Sequence, residues 1–285
     1  MKRTHERSAI STSLPACLLL ALSLRAFADT SEFRKQMASL GCVRNVTVDN
    51  HSMQCIVRGS GPAVLMFHGL GGTAFDWRDT IEVVADRHYT AIALDMLGSG
   101  YSDKPGNGDY TLAGQAKLAR LVLNALGPRR AVLVGNSYGG GVALQFAAAY
   151  PERTAALFLM DPLCYRKLPY YAHLARIPLA SDAVWRMLPT SIVLRASLAR
   201  ATYSMANFDR DALKGYIVEN NQPGRRAALM QTLRQLMKTD ESKLVESYRD
   251  IAVPTYIVWG EEDAILPVEH GRRLAAAIEN ATLHT

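Results

Sequence analysis

A series of short apolar runs, each followed by a stretch of helical pattern, constrains this chain more than any other feature. The runs are AVLMF at 63–67, TAIALD at 90–95, AVLVG at 131–135, AALFLMD at 155–161 and PTYIVWG at 254–260. Several lack the polar–apolar alternation of a strand with one wet face, so they read as strands buried on both sides. Helical patterns lie between them. One spans 76–87. A second, 111–127, opens on Thr111 and closes on Gly127-Pro128. A third, 137–150, stops before Pro151, and a fourth spans 267–280. ATLHT, from Ala281, begins a last strand. This rhythm excludes an all-helical bundle and an all-β sandwich. It predicts an α/β fold, a mainly parallel sheet with helices on both faces.

The rhythm breaks between Pro162 and about Glu246, where the sequence is helical, aromatic and interrupted by prolines. That segment reads as a helical cap inserted into one domain spanning 29–285. Residues 1–28 read differently. A basic head, MKRTHER, precedes a short apolar run and the small-x-small step Ala26-Phe27-Ala28, as in a bacterial secretory signal peptide cut before Asp29. The expectation is a periplasmic or secreted protein with no stable membrane span once the leader is gone. Lys2, Arg3, Arg7 and Arg25 all lie in that leader, so part of the formal charge of +6 is a targeting signal. No basic stripe remains that would suit nucleic acid.

Beyond the leader lie Cys42, Cys55 and Cys164, with no C-x-x-C spacing and no Cys/His cluster to suggest a metal. Cys42 and Cys55 flank a predicted hairpin turning at Asp49-Asn50. Their spacing puts them diagonally on one face, as a disulfide or as two half-buried thiols.

Two glycine-rich loops compete for the chemistry. HGLGGTA, 68–74, loosely imitates a dinucleotide fingerprint, with Asp95 ending the next strand where a ribose-binding acid could sit. GNSYG, 135–139, is a G-x-S-x-G sequence between a strand and a helix. There a serine sits on a sharp, strained turn, and residues two away on either side must be tiny for strand and helix to meet.

Four segments, FHGLGG (67–72), LDMLGSGYSDKP (94–105), VGNSYGG (134–140) and VWGEEDAILP (258–267), resemble in order and spacing the serine branch of the α/β-hydrolase superfamily. The resemblance spans nearly all of 43–285. It implies an oxyanion loop at 69–72 in place of a dinucleotide loop, and a structural turn at Asp95. It makes Ser137 the nucleophile, and the backbone N–H groups of Tyr138 and Leu70 the oxyanion hole, with Gly71 as the alternative to Leu70. It makes Asp263 the acid that orients a histidine, with Asp161 as the alternative. Serine at 137 argues against the dehalogenases and epoxide hydrolases of the superfamily, which attack with a carboxylate.

The resemblance orders the triad Ser, acid, His, so the histidine must follow Asp263. His270 sits early on the last predicted helix, where a surface position is expected. His284 lies within the last strand. The family carries its base on the loop after that strand, so the base is expected beyond Thr285, and the C-terminal end looks truncated. His68 belongs to the HG motif and reads as structural. The implied activity is hydrolysis of an ester or related acyl bond of a small hydrophobic substrate through an acyl-enzyme, without cofactor or metal. Carbon–carbon bond hydrolases share these motifs. A catalytically incomplete member of the fold is the alternative from another class.

Overall fold

The computed structural model describes residues 30–165, 192 and 210–285. The expected leader, and the part of the expected cap between 166 and 209 apart from Ile192, lie outside the described residues. The order begins with helix α1 (Thr30–Leu40) and strands β1 (Cys42–Val48), β2 (His51–Arg58) and β3 (Ala63–Phe67). A 3-10 turn (Ala74–Trp77) leads into α2 (Arg78–Asp86), then β4 (Thr90–Leu94), α3 (Leu112–Leu126), β5 (Ala131–Asn136), α4 (Tyr138–Ala149) and β6 (Thr154–Met160). Helices α5 (Arg210–Asn220), α6 (Arg225–Leu236) and α7 (Glu241–Glu246) precede β7 (Thr255–Val258), α8 (Val268–Ala277) and β8 (Ala281–His284).

The eight strands form one sheet in the order β1-β2-β4-β3-β5-β6-β7-β8. β1 and β2 are antiparallel, as are β2 and β4, and the other pairs are parallel. Chain reversal from β3 to β4 and from β4 to β5 therefore needs crossovers, which the helices supply. All five residues of β3 are buried, as a central strand between two helical layers requires. Alternate residues serve different layers. Leu65 and Phe67 pack with Leu133, Val142 and Leu144. Val64 and Met66 pack on the other face with Phe75, Ile81 and, from α1, Phe33 and Met37. Farther along the sheet, Phe158 and Tyr256 face each other in register and are 38% and 50% exposed, so the described residues cover that stretch only in part.

The predicted local signals have physical counterparts. Thr111 accepts a bond from Gly114 N–H at 3.0 Å and caps α3, which Gly127 closes at φ 103. Asp49 and Asn50, at φ 50 and 62, form the two-residue turn between Val48 and His51. Cys42 lies opposite Val57 and Cys55 opposite Arg44, so the two cysteines are diagonal on one face. Both are free thiols, and neither is half-buried: Cys42 is exposed and Cys55 buried. Burial pushes the Cys55 thiol up to about 12.

The register fixes where the loops meet. Phe67 pairs with Gly135, and Asn136 with Met160. The chain after β3, after β5 and after β6 therefore leaves the sheet at one edge, the carboxyl edge of the parallel strands, where ligands bind in such sheets.

Candidate active site

Ser137 occupies the N-cap position of α4, between Asn136 and Tyr138. An N-cap serine usually turns its hydroxyl onto the helix's first amides. This one makes no such bond, because its backbone is not extended: φ is 51 and ψ is −118. A serine there is strained. The strain is held from both sides. Ser137 N–H donates to Met160 O at 2.9 Å, and Ser137 O accepts from Leu163 N at 2.8 Å and Gly141 N at 3.2 Å.

The neighbouring glycines make this turn sterically feasible. A Cβ on Gly135 would meet Gly139 O at 2.5 Å, and one on Gly139 would meet Phe67 O at 2.3 Å and His68 O at 2.5 Å. Helix and strand thus touch through their backbones, and Ser137, half-buried, sits at the positive end of α4.

The glycine loop lies against this elbow. A Cβ on Gly69 would come within 3.0 Å of Asn136 Oδ1 and 3.7 Å of Ser137 Cβ. Gly72 N–H donates to Gly69 O at 3.0 Å, closing a turn with Gly71 at φ 86. His68 Nδ1–H donates to the same Gly69 carbonyl at 2.8 Å, and its Nε2 accepts from Met96 N at 3.2 Å. Burial lowers the His68 pKa to about 3, so the ring is neutral and both nitrogens are occupied. The peptide is planar and trans, so pinning the Gly69 carbonyl aims the Leu70 N–H the opposite way. The peptide plane that His68 clamps is therefore the one that carries the Leu70 N–H.

Asp95 is fully buried. Its Oδ1 accepts from Ala74 N at 2.7 Å, and its Oδ2 from Tyr101 N at 2.9 Å and Gln54 Nε2 at 3.2 Å. A side chain so enclosed braces a turn and cannot reach a ribose. The Tyr138 hydroxyl donates to Tyr110 O at 3.0 Å, which anchors the first residue of α4.

Two carboxylates stand at the ends of neighbouring strands. Asp161 follows β6 at φ 43, and its Oδ1 accepts from Gly260 N at 2.8 Å. Asp263 follows β7. Its Oδ1 accepts from Ile265 N at 2.7 Å and Leu266 N at 2.9 Å, which leaves Oδ2 for another donor. Burial raises the Asp161 pKa, and the nearby charge of Asp263 raises it further. Both acids weighed from the sequence therefore share one end of the sheet with the Ser137 turn.

The histidines divide. His284 is exposed and lies in β8, in register with Val258. His270 is not on the surface: it is 7% exposed on α8, with its ring 5.2 Å from that of Tyr165. The expectation failed because the residue falls on the inner side of α8, beside the buried Gly271 and Leu274.

The sequence reading missed what holds the glycine loop from outside. The Thr73 hydroxyl bonds Glu219, Asn220 Nδ2 donates to Gly71 O at 3.2 Å, and Arg225 donates to Gly72 O at 3.0 Å. Glu219, Asn220 and Arg225 are all buried. The available signal was charged and polar residues, Glu219-Asn220 and Arg225, flanking a Pro-Gly turn. Nothing local names their partners 146 to 153 positions away.

Residues 62–285 match the model of a family described as the alpha/beta hydrolase fold. An uncharacterized protein of Mycobacterium tuberculosis is 33% identical over 249 residues, covering 83% of this chain and 72% of its own length. A 2-hydroxy-6-oxo-6-phenylhexa-2,4-dienoate hydrolase of Comamonas testosteroni is 31% identical over 235 residues, 79% of this chain and 80% of that one. Among solved structures, a meta-cleavage product hydrolase from Pseudomonas fluorescens IP01 superposes with a TM-score of 0.70 at 25% identity. That match covers 85% of this chain and 88% of that one.

Proposed function

This chain belongs to the α/β-hydrolase family, and on that premise we propose that it is a serine hydrolase attacking a carbonyl carbon of a small apolar compound. The observation that carries the reading is Ser137 itself: an N-cap serine, at φ 51, whose hydroxyl does not cap its helix. Such strain persists only where surrounding structure enforces it, and it concentrates at functional sites.

In this reading Ser137 Oγ adds to the carbonyl, and the negative oxygen is received by the N–H groups of Tyr138 and Leu70. The serine proton passes to an imidazole oriented by Asp263. His68 cannot serve, since both its nitrogens are engaged and burial holds its pKa near about 3.

The favoured substrate class is a carbon–carbon bond next to a ketone, as in aromatic ring-fission products, ahead of an ester. The support is the 31% identity with a hydrolase named for 2-hydroxy-6-oxo-6-phenylhexa-2,4-dienoate. With such a compound the tetrahedral adduct collapses by breaking the carbon–carbon bond. For that bond to break, the carbon next to the ketone must first take a proton as the dienol ketonises; the electron pair then passes along the enone onto its oxygen, which is protonated to give the 2-hydroxydienoate. The acyl group stays on Ser137 until water releases it as a carboxylic acid. An ester would share the first step and lose its electron pair on oxygen.

The test is a parallel assay of the purified chain on 2-hydroxy-6-oxohexa-2,4-dienoates, followed by loss of dienolate absorbance, and on 4-nitrophenyl esters. Faster turnover of the dienoates, abolished in Ser137→Ala, is expected, and His270→Gln and His284→Gln report whether either ring is the base. Turnover surviving in Ser137→Ala would overturn the nucleophile, and turnover of esters alone would overturn the substrate class.

A further inference from the structure

The glycine loop cannot hold its own shape. Three of its four residues between 69 and 72 are glycine, and glycine has the greatest backbone freedom of any residue. A hole of fixed N–H donors must nevertheless be set before the reaction, because reorganising dipoles during it would forfeit their effect. Each carbonyl of those glycines is tied. His68 and Gly72 N–H hold that of Gly69. The other two are held from the helical segment between β6 and β7. Asn220, the last residue of α5, donates Nδ2–H to Gly71 O at 3.2 Å, and Arg225, the first of α6, donates to Gly72 O at 3.0 Å.

Arg225 does more than hold one carbonyl. Its other terminal nitrogen donates to Gly98 O at 2.7 Å and to Ser99 Oγ at 2.9 Å. Its planar fork therefore ties the loop after β3 to the turn after β4. Arg225 is only 3% exposed, among Glu219, Asp95 and Asp76, whose charges offset part of the cost of burying its guanidinium. Asn220 is also anchored to its own helix through Tyr216 O at 2.9 Å. Peptide planarity transmits the Asn220 bond: with the Gly71 carbonyl held, the Gly72 N–H turns the other way, onto Gly69 O at 3.0 Å, and the Gly69 carbonyl in turn sets the Leu70 N–H.

We propose that Asn220 and Arg225 are positioning residues of the oxyanion hole: Asn220, through Gly71 O, holds the Gly72 N–H onto the Gly69 carbonyl, whose peptide carries the Leu70 N–H, and Arg225 fixes the end of the same loop at Gly72 O. The inference rests on the serine hydrolase reading and deepens it. It also ties the helices α5 and α6 to the hole, so a shift of these helices disturbs the donors directly. Neither residue touches the substrate in this role.

The experiment compares Asn220→Ala, Asn220→Asp, Arg225→Lys and Arg225→Met with the parent chain. It measures kcat, KM, the rate of Ser137 labelling by a fluorophosphonate, and the affinity for a phenylboronate, which forms a tetrahedral anionic adduct with the serine. Misplacing a donor costs rate with little effect on substrate binding, so Asn220→Ala should lower kcat roughly tenfold or more with KM within about twofold. The boronate affinity should fall in proportion to kcat. Arg225→Lys, which keeps one donor set but not the fork, should fall between the parent and Arg225→Met. A parent chain that is labelled and active, with Asn220→Ala matching it in kcat and boronate affinity, would overturn the clamp. A parent chain that is neither labelled nor active would remove the hydrolase reading and the clamp with it. Should Arg225→Met fail to fold, the two Asn220 variants decide alone.

Discussion

Gly139 lies so close to Phe67 that a Cβ on it would sit 2.3 Å from the Phe67 carbonyl oxygen and 2.5 Å from that of His68. Both obstacles are backbone, and both belong to the chain leading into the glycine loop. Gly139→Ala must therefore push α4 away from β3, moving the Ser137 turn and the glycine loop apart. Overpacking of this kind costs about 1–3 kcal/mol. We expect a lower Tm and a loss of most activity, read by thermal unfolding and by the dienoate assay. Gly106→Ala is the control, since nothing lies within 4 Å of a Cβ there. It should match the parent in both measurements.

Ser137→Gly separates strain from chemistry. Glycine reaches φ 51 without steric cost, whereas serine stores about 1–3 kcal/mol there. Glycine also frees the unfolded chain, which takes back about 0.4–1 kcal/mol. The balance favours the variant. Ser137→Gly should be inactive yet melt above both the parent and Ser137→Ala, which keeps the strain and loses the hydroxyl. A Ser137→Gly protein that melts below Ser137→Ala would show that the turn is not strained.

Much of this was readable because it is local. The runs AVLMF and AVLVG sit in β3 and β5, and the Thr111 cap and Gly127 stop bound α3. The tight packing around Gly135 and Gly139 follows from the G-x-S-x-G spacing alone. Three things were not readable, each because it depends on long-range packing. Helix α1 carries Glu32, Arg34 and Lys35 around Phe33, and only its contacts, such as Phe33 on Phe75 with ring centroids 5.0 Å apart, show that it is docked. His270 was expected at the surface because helical spacing does not reveal which side faces Tyr165. The Asn220 and Arg225 clamp joins residues about 150 positions apart, a pairing that no local pattern encodes.

His68 supplies the pH prediction, and Asp76 sets its sign against a second buried group. Burial lowers the His68 pKa to about 3 in the folded chain, against about 6.5 unfolded. Its contribution is therefore fully present above about pH 6.5 and is lost as the pH falls toward about 3, because only the unfolded chain takes up the proton. Asp76 runs the other way. Burial raises it to about 6 from 3.8, so its contribution is full below 3.8 and is lost as the pH rises through about 6. Between these limits the two groups oppose each other, which flattens the parent's stability profile. His68→Asn removes one of them. It should cost about 1–3 kcal/mol at neutral pH by leaving Met96 N–H without its acceptor. The gap to the parent should then narrow on acidification, by up to about 1.4 kcal/mol per pH unit. Denaturant unfolding of both proteins at intervals from pH 7 to 4 measures the gap directly. A gap that stays constant across that range would mean that the imidazole titrates alike in the folded and unfolded chains, and that His68 is not the buried neutral brace of the glycine loop.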